Sequence, residues 1–530
     1  MKNSNLLSNL KQDIPASIVV FFVALPLCLG IALASGAPLF SGLIAGIIGG
    51  IVVGSLSGSQ LGVSGPAAGL AAIVLTAIGS LGGFENFLLA VVLGGLIQFV
   101  FGILKAGIIG YYFPSSVIKG MLTGIGIIII LKQIPHFFGY NSPEGDFSFF
   151  HSNGENTFSG IFNALNFISP GATLIAILSL GILLLWSNVL STKGRLFQLI
   201  QGPLVAVVVG IIYVLISGEN SMWQIKAEQL VSVPVPSDLN SFFGQFSFPN
   251  FAGISNPEIW ITAFTIALVA SLETLLCVEA TDKLDPEKRV TPTNRELIAQ
   301  GTGNFISGMI GGLPLTQVIV RSSANIQSGG KSKMAAIIHG FFLLISVLLI
   351  PTILNKIPLS VLAAILFIVG YKLAKPSLFK TMYQLGWKQF TPFIVTILGI
   401  VFTDLLVGIG LGLVVGVAVI LIKSFQNSHF LHIEDNSNGK HKIKMTLAEE
   451  VTFINKGAIL KELESIPRDT ILELDVRNTR FLDYDIVEIL EDFSEKARQR
   501  NINIKVTSEK DVVDNPTSFI EIFKKYTKSA

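Results

Sequence analysis

Arg321 lies in Gly311-Gly312-Leu313-Pro314-Leu315-Thr316-Gln317-Val318-Ile319-Val320-Arg321-Ser322, between two apolar runs long enough to cross a bilayer. A cation near the centre of a membrane costs roughly 3 to more than 10 kcal/mol, depending on the method used. A chain tolerates that cost when the charge faces a water-filled cavity and meets an anion. Gly62-Val63-Ser64-Gly65-Pro66-Ala67-Ala68-Gly69 interrupts an earlier apolar run in the same manner. Proline is accepted at the first turn of a helix, which needs no amide hydrogen there. A helix starting at Ser64-Gly65-Pro66 leaves its first amides unpaired and partly positive. Leu313-Pro314 and the run Val318-Ile319-Val320 prepare a second such helix starting at Arg321. Two helix N-termini meeting near the midplane make an anion site, and Arg321 adds a full charge.

Glu273, in Ala270-Ser271-Leu272-Glu273-Thr274-Leu275-Leu276-Cys277, is the other charge expected inside the membrane. A carboxylate there can pair with Arg321, hold a sodium ion or take up a proton. Glu279 and Asp282 fall nearer the end of that segment and read as interfacial. Pro26-Leu27-Cys28-Leu29-Gly30-Ile31 places proline and small residues in the first segment, where helix packing explains them. Cys28 and Cys277, the only two cysteines, both fall in apolar segments and read as small buried side chains, not a disulfide or a metal site. No Walker loop, HExxH or Ser-His-Asp set is present, and the six histidines are scattered. The chain therefore reads as neither an enzyme nor a pump driven by its own ATP hydrolysis, and no cofactor is implied.

The elements that must hold these residues follow from composition. The chain of 530 residues is 51% hydrophobic and 14% charged, with a mean hydropathy of +0.66. Soluble domains average about 25% charged residues. Net charge is only +2, so no nucleic-acid partner is expected. The first apolar run is too long for a cleavable signal and reads as a permanent span. From Glu434 onward, less than a fifth of the length carries about half of all charged residues. The expected division is a membrane domain over 1–423, a polar connector over 424–442 and a soluble domain over 443–530.

About fourteen segments precede Lys423. Seven run over about 14–35, 39–57, 64–79, 83–104, 115–133, 170–190 and 202–217. Seven more run over about 258–280, 295–311, 321–330, 333–350, 358–373, 390–403 and 405–423. The short ones are the third of each half, the sequence sign of a 7+7 inverted repeat. The loops at 191–201, 281–295 and 371–388 are rich in Lys and Arg, whereas 141–170 has neither and 218–257 has only Lys226. Basic loops stay inside, so both termini are expected in the cytoplasm of a multi-pass inner-membrane protein. In the tail, Ile471–Val476 alternates like a strand, Tyr484–Arg500 has a helical apolar face, and Asn503–Thr507 alternates again. That order suggests helices on one face of a small sheet.

The membrane part resembles the SulP anion transporters (solute carrier family 26), and the tail resembles the STAS domain that follows them. The resemblance rests on Val23-Ala24-Leu25-Pro26, Ser64-Gly65-Pro66, Arg295-Glu296-Leu297 with Gln300-Gly301 and Asn304, and Gly311-Gly312-Leu313-Pro314 with Arg321, Asn325 and Gly329-Gly330. It implies a core (segments 1–4 and 8–11) moving as an elevator against a gate (5–7 and 12–14), usually in a homodimer. By position, the implied anion site is Leu27 and Ile31, Ser64, Gly65, Pro66, Ala67 and Ala68, and Val320, Arg321 and Ser322, with Glu273 and Cys277 as the coupling pair. Three residues depart from the pattern. Leu27 and Val320 stand where many relatives are polar. Cys277 replaces a hydroxyl that sodium-coupled members use, and a thiol is a poor ligand for a hard cation. Proton coupling or exchange through Glu273 is therefore favoured over sodium. Tyr484 and Asp485 occupy the place of a phosphorylatable serine in bacterial relatives of the tail, which leaves a protein-binding, dimer-stabilising or trafficking role.

The expected function is secondary transport of bicarbonate or sulfate. A dicarboxylate–proton symporter is the closer alternative, since Leu27, Ile31 and Val320 suit carbon. A membrane sensor or scaffold with a vestigial pore is the more distant one. A nucleobase–cation symporter would lack both the arginine and the tail.

Overall fold

The computed structural model describes residues 9–111, 114–140, 166–190, 201–217, 221–235, 244–403, 405–435, 441–508 and 511–524, with 162, 193, 197 and 526 singly. The loop expected at 141–170 lies largely outside the described residues, as do Arg195 and residues 436–440 of the expected connector. The chain divides into two compact units, Met1–Leu413 and Val414–Ala530.

Besides short helices such as Pro351–Leu354 and Pro376–Gln384, fourteen helical segments are described before the tail. They are α1 (Leu10–Ala34), α2 (Leu39–Leu56), α3 (Ala68–Ser80), α4 (Phe84–Ile103), α5 (Ser115–Phe137), α6 (Pro170–Asn188) and α7 (Gly202–Ile216). The second half has α8 (Pro257–Leu284), α9 (Thr293–Met309), α10 (Ile319–Gln327), α11 (Met334–Leu349), α12 (Leu359–Leu373), α13 (Trp387–Phe402) and α14 (Leu405–Gln426). Each falls within a few residues of its expected position. Helix α10, of 9 residues, is the short segment of its half.

Helix α1 packs against α2, α10 and α11 and also against α12 and α7, and α4 packs against α8 and α9. Helix α5 packs against α12 and α13, and α6 against α7 and α12. The α4–α9 seam shows why small residues recur along it. A Cβ at Gly95 would stand 2.4 Å from the Phe305 nitrogen, and one at Gly301 would stand 2.5 Å from the Phe99 nitrogen. Close backbone approach of this kind is the usual way membrane helices gain packing without a hydrophobic drive.

In the tail, a five-stranded sheet is formed by His429–Asp435, His441–Leu447, Ile471–Asp475, Asn503–Thr507 and Val512–Asp514, in that spatial order. The three central strands are parallel to one another and the outer two antiparallel to their neighbours. The helix Tyr484–Gln499 buries Ile486, Val487, Leu490 and Phe493 in the core that this sheet lines. One expectation is corrected. Residues 429–435 are an edge strand paired with 441–447, where a connector was expected. Phe430, Leu431 and Ile433 supply the strand's apolar residues, and the polar His429, His432, Glu434 and Asp435 around them masked it.

Candidate functional site

The two interrupted segments meet. Ser64–Pro66 (β1) and Leu315–Gln317 (β2) pair as antiparallel strands, with Ser64 opposite Gln317, Gly65 opposite Thr316 and Pro66 opposite Leu315. Helix α3 begins just after β1 and α10 just after β2, so the two N-termini lie at opposite ends of a strand pair roughly 10 Å long. This corrects two details. Pro66 sits in an extended strand and not in a first helical turn, because the segment pairs with β2 before it coils. Helix α10 begins at Ile319, so Arg321 is its third residue and not its first. Val318 stays extended as the N-cap, and tertiary packing overrides the extended preference of Ile319 and Val320 alone.

Arg321 is 1% exposed and heads the largest fully buried side chains. Its Nη2 reaches Cys28 Sγ on α1 at 3.4 Å, while Nε and Nη1 have no hydrogen-bond partner. The guanidinium lies against β1, where a Cβ on Gly65 would come within 2.1 Å of Nη1. Glu273, one of the partners considered for Arg321, makes no ion pair with it. The Glu273 carboxylate is 8% exposed and turns to the start of α3, facing the Gly69 amide. A Cβ at Gly69 would stand 2.6 Å from Glu273 Oε2, and that oxygen has no partner. Cys277, one turn along α8, faces the Ile319 amide at the start of α10. Charge of each sign is thus buried beside a helix start, and neither cancels the other by direct contact.

The remaining expected residues take different places. Leu27 and Ile31 are each 6% exposed on α1, which packs against both half-helices. Ala67 is buried and Ala68 partly exposed at the start of α3. Val320 is exposed at 39%. Ser322 is fully buried and structural: its hydroxyl donates to the Val318 carbonyl at 2.8 Å and accepts from the Val63 amide at 3.0 Å. Ser64 accepts from Gln300 Nε2 at 2.6 Å.

Helix α9 supplies residues to which the sequence assigned no role. Glu296, Gln300 and Asn304 recur every four residues, a polar stripe on a membrane helix that could have marked them. Gln300 bridges Ser64 to Glu296 Oε1, at 2.9 Å, and Ser57 donates to the other Glu296 oxygen. Asn304 grips β2, accepting from the Leu315 amide at 2.6 Å and donating to the Leu315 carbonyl at 3.1 Å and to Gln98 Oε1 at 2.7 Å. Helix α2 contributes a π-helical turn, Gly49–Val53, where a Cβ on Gly49 would strike the Ser64 carbonyl at 2.5 Å. Such turns often sit at functional sites. Asp13, fully buried at the start of α1, accepts from the Lys331 and Ser332 amides and the Ser332 hydroxyl, fastening the loop after α10. Among the described residues no cluster of His, Cys, Asp and Glu could hold a metal ion.

A multi-pass fold with paired half-helices around a buried, unpaired arginine defines a membrane transporter for anions. The sulfate permease family model matches residues 10–396, and the chain belongs to that family, whose members are transporters and not enzymes. The bicarbonate transporter BicA of Picosynechococcus sp. is 26% identical over 83% of this chain and 75% of its own length. The Bacillus subtilis protein YvdB is 25% identical over 93% of this chain and 91% of its own. Among solved structures, the transmembrane domain of a cyanobacterial BicA superposes with a TM-score of 0.64 at 26% identity, covering 77% of this chain and 98% of that one. Murine solute carrier 26 family member A9, solved inward-facing, gives 0.76 at 16% identity over 96% of this chain and 86% of its own, a likeness of fold.

Proposed function

We propose that this chain is a secondary active transporter of a small anion, bicarbonate or sulfate, held where α3 and α10 start. The observation that carries the proposal is Arg321, buried with two of its nitrogens unpartnered and no carboxylate paired to it. A guanidinium in that position is stable when an anion supplies the missing charge and acceptors. Substrate contacts come from Arg321, the first amides of α10, Ser64 to Ala68, and the walls at Leu27 and Ile31, with Cys28 added because it touches the guanidinium. Val320 and Ser322 frame that turn through the backbone. Transport then proceeds by movement of the core group against the gate group.

Glu273, with Cys277 beside it, is the coupling group, and a proton or a counter-anion is the coupling partner in this scheme. The protein works as a homodimer in the inner membrane, both termini in the cytoplasm and the tail available to a cytoplasmic protein. Support comes from the basic loops and from the relatives named above, among them a bicarbonate transporter. Uptake of labelled bicarbonate, sulfate, chloride and fumarate into proteoliposomes, with and without sodium or pH gradients, tests the proposal. Accumulation of an anion driven by a proton or anion gradient supports it. Failure of every anion to move under any gradient refutes it.

A further inference from the structure

We propose that the turn between α12 and α13 binds the headgroups of anionic phospholipids through Lys372, Lys375 and Lys380 and the aromatic side chains beside them. This requires only that α12 and α13 lie in the membrane, and it stands or falls apart from the anion site at Arg321.

Charge in this part of the chain has one sign. No Asp or Glu occurs between Glu296 and Asp404, yet Lys372, Lys375, Lys380 and Lys388 fall close together where α12 gives way to α13. Loops at the inner face of a membrane gather basic residues as a rule, so lysines alone carry little. The loop after α8 shows the ordinary arrangement, in which basic residues bring their own acids. Lys283 is paired with Glu279 at 2.6 Å, and Arg289 with Asp285 at 2.6 Å and Glu287 at 3.6 Å. By contrast, among the described residues Lys372, Lys375 and Lys380 have no carboxylate partner, and all three are exposed. Lys372 and Lys375 instead lie close enough to act on each other as like charges. Lys119, at the start of α5, adds another from the inner side, its Nζ lying 3.9 Å from Met382 Sδ.

The surroundings of these lysines point to lipid. The chain turns at Lys375, which is extended, and Pro376 opens the short helix Pro376–Gln384. The apolar residues of that helix are already used, since Leu378, Phe379 and Met382 pack with Phe393 and Ile397 of α13. Its outward face is Lys380, Thr381 and Gln384, which suits headgroups and not acyl chains. Around that face stand Tyr371, Tyr383, Leu385 and Trp387, each more than half exposed. Tyr371 and Lys372 lie in the last turn of α12, and Trp387 is the first residue of α13. Tyr and Trp at the ends of membrane helices settle at the headgroup level. Lysines fixed at that level with no acid among them meet lipid phosphate, which lysine binds as a point charge. Each basic residue at an anionic surface strengthens such attraction roughly fivefold.

Amine acetylation of the full-length protein in nanodiscs tests the proposal. The bilayer is phosphatidylcholine alone or phosphatidylcholine with phosphatidylglycerol, and mass spectrometry reads each lysine. The expected result is that Lys375 and Lys380 react about fivefold or more slowly when phosphatidylglycerol is present, and that high salt removes the protection. Lys283, paired with Glu279 in the last turn of α8, should change little and controls for the general effect of a charged bilayer. In detergent, the wild type should retain phosphatidylglycerol in preference to phosphatidylcholine, and Lys375→Gln with Lys380→Gln should lose that preference. Equal acetylation in the two bilayers overturns the proposal, as does a double variant that keeps the preference. Protection of both lysines in either bilayer also overturns it and assigns the surface to protein, such as the tail of a second copy.

Discussion

Gly65→Ala tests whether the guanidinium must lie close against β1. An ideal Cβ at Gly65 falls 2.1 Å from Arg321 Nη1, 2.9 Å from Cζ and 3.4 Å from Nη2. Ordinary contact needs about 3.5 Å, so the guanidinium has to retreat by about 1.4 Å. Arg321 is the end of a flexible side chain, so the fold absorbs the shift at little cost. The anion does not, because it loses at least one charge-assisted hydrogen bond worth about 1.5–3 kcal/mol. That converts to roughly 10- to 100-fold weaker apparent affinity. The assay is concentration-dependent uptake into proteoliposomes alongside the melting temperature of the purified protein. Gly79→Ala is the control, since a Cβ there meets nothing within 4 Å and alanine favours a helix. The expected outcome is a G65A protein that melts like wild type and needs far more substrate. Wild-type affinity in G65A would refute the placement of the anion against Arg321 and β1.

Two further predictions concern the scaffold. Asn304→Ala strands the Leu315 amide and Gln98 together, and should destabilise the protein by about 2 kcal/mol or more, read as a lower melting temperature; an unchanged melting temperature contradicts the role given to Asn304. In the tail, hydrogen bonds from Arg477 outweigh burial and hold the Asp475 carboxyl below its usual range, with Lys444 adding a salt bridge at 3.1 Å. A depressed folded-state value means that stabilisation is complete above the unfolded carboxylate value near about 4 and is lost as pH falls below it. Hydrogen exchange at the amides of residues 471–475 should therefore quicken relative to other strands as pH drops through that window. Asp475→Asn should abolish this pH dependence, and its persistence would assign it to another group.

The sequence carried the architecture further than the site. Long apolar runs cannot hide: eight of the described helices are long and apolar enough to cross a membrane, and all fourteen expected segments fall within a few residues of a helix. The two short segments also stood out at matching places, because Gly and Pro interrupt the apolar run in each. What pairs with what was less visible. The contact between Cys28 and Arg321 joins residues 293 positions apart, and nothing local in either marks it. Glu273 was a natural counter-charge by sign and depth, yet the fold turns it to the start of α3. The strand pair at Ser64–Pro66 and Leu315–Gln317 is a tertiary event three residues long, below what periodicity resolves. The Glu296–Gln300–Asn304 stripe was legible as a pattern, though its work in holding β1 and β2 depends on partners from elsewhere in the chain. The edge strand at 429–435 was missed because the polar residues around Phe430, Leu431 and Ile433 suggested a linker.

The central claim is that the charge of Arg321 binds the transported anion. Its most direct measurement is anion uptake by Arg321→Ala proteoliposomes, prepared at matched protein density and melting temperature, with Arg321→Lys beside it. The alanine variant should lose uptake of every anion the wild type carries, and lysine, keeping the charge without the planar fork, should restore part of it. Uptake by the alanine variant equal to wild type for all tested anions would contradict it.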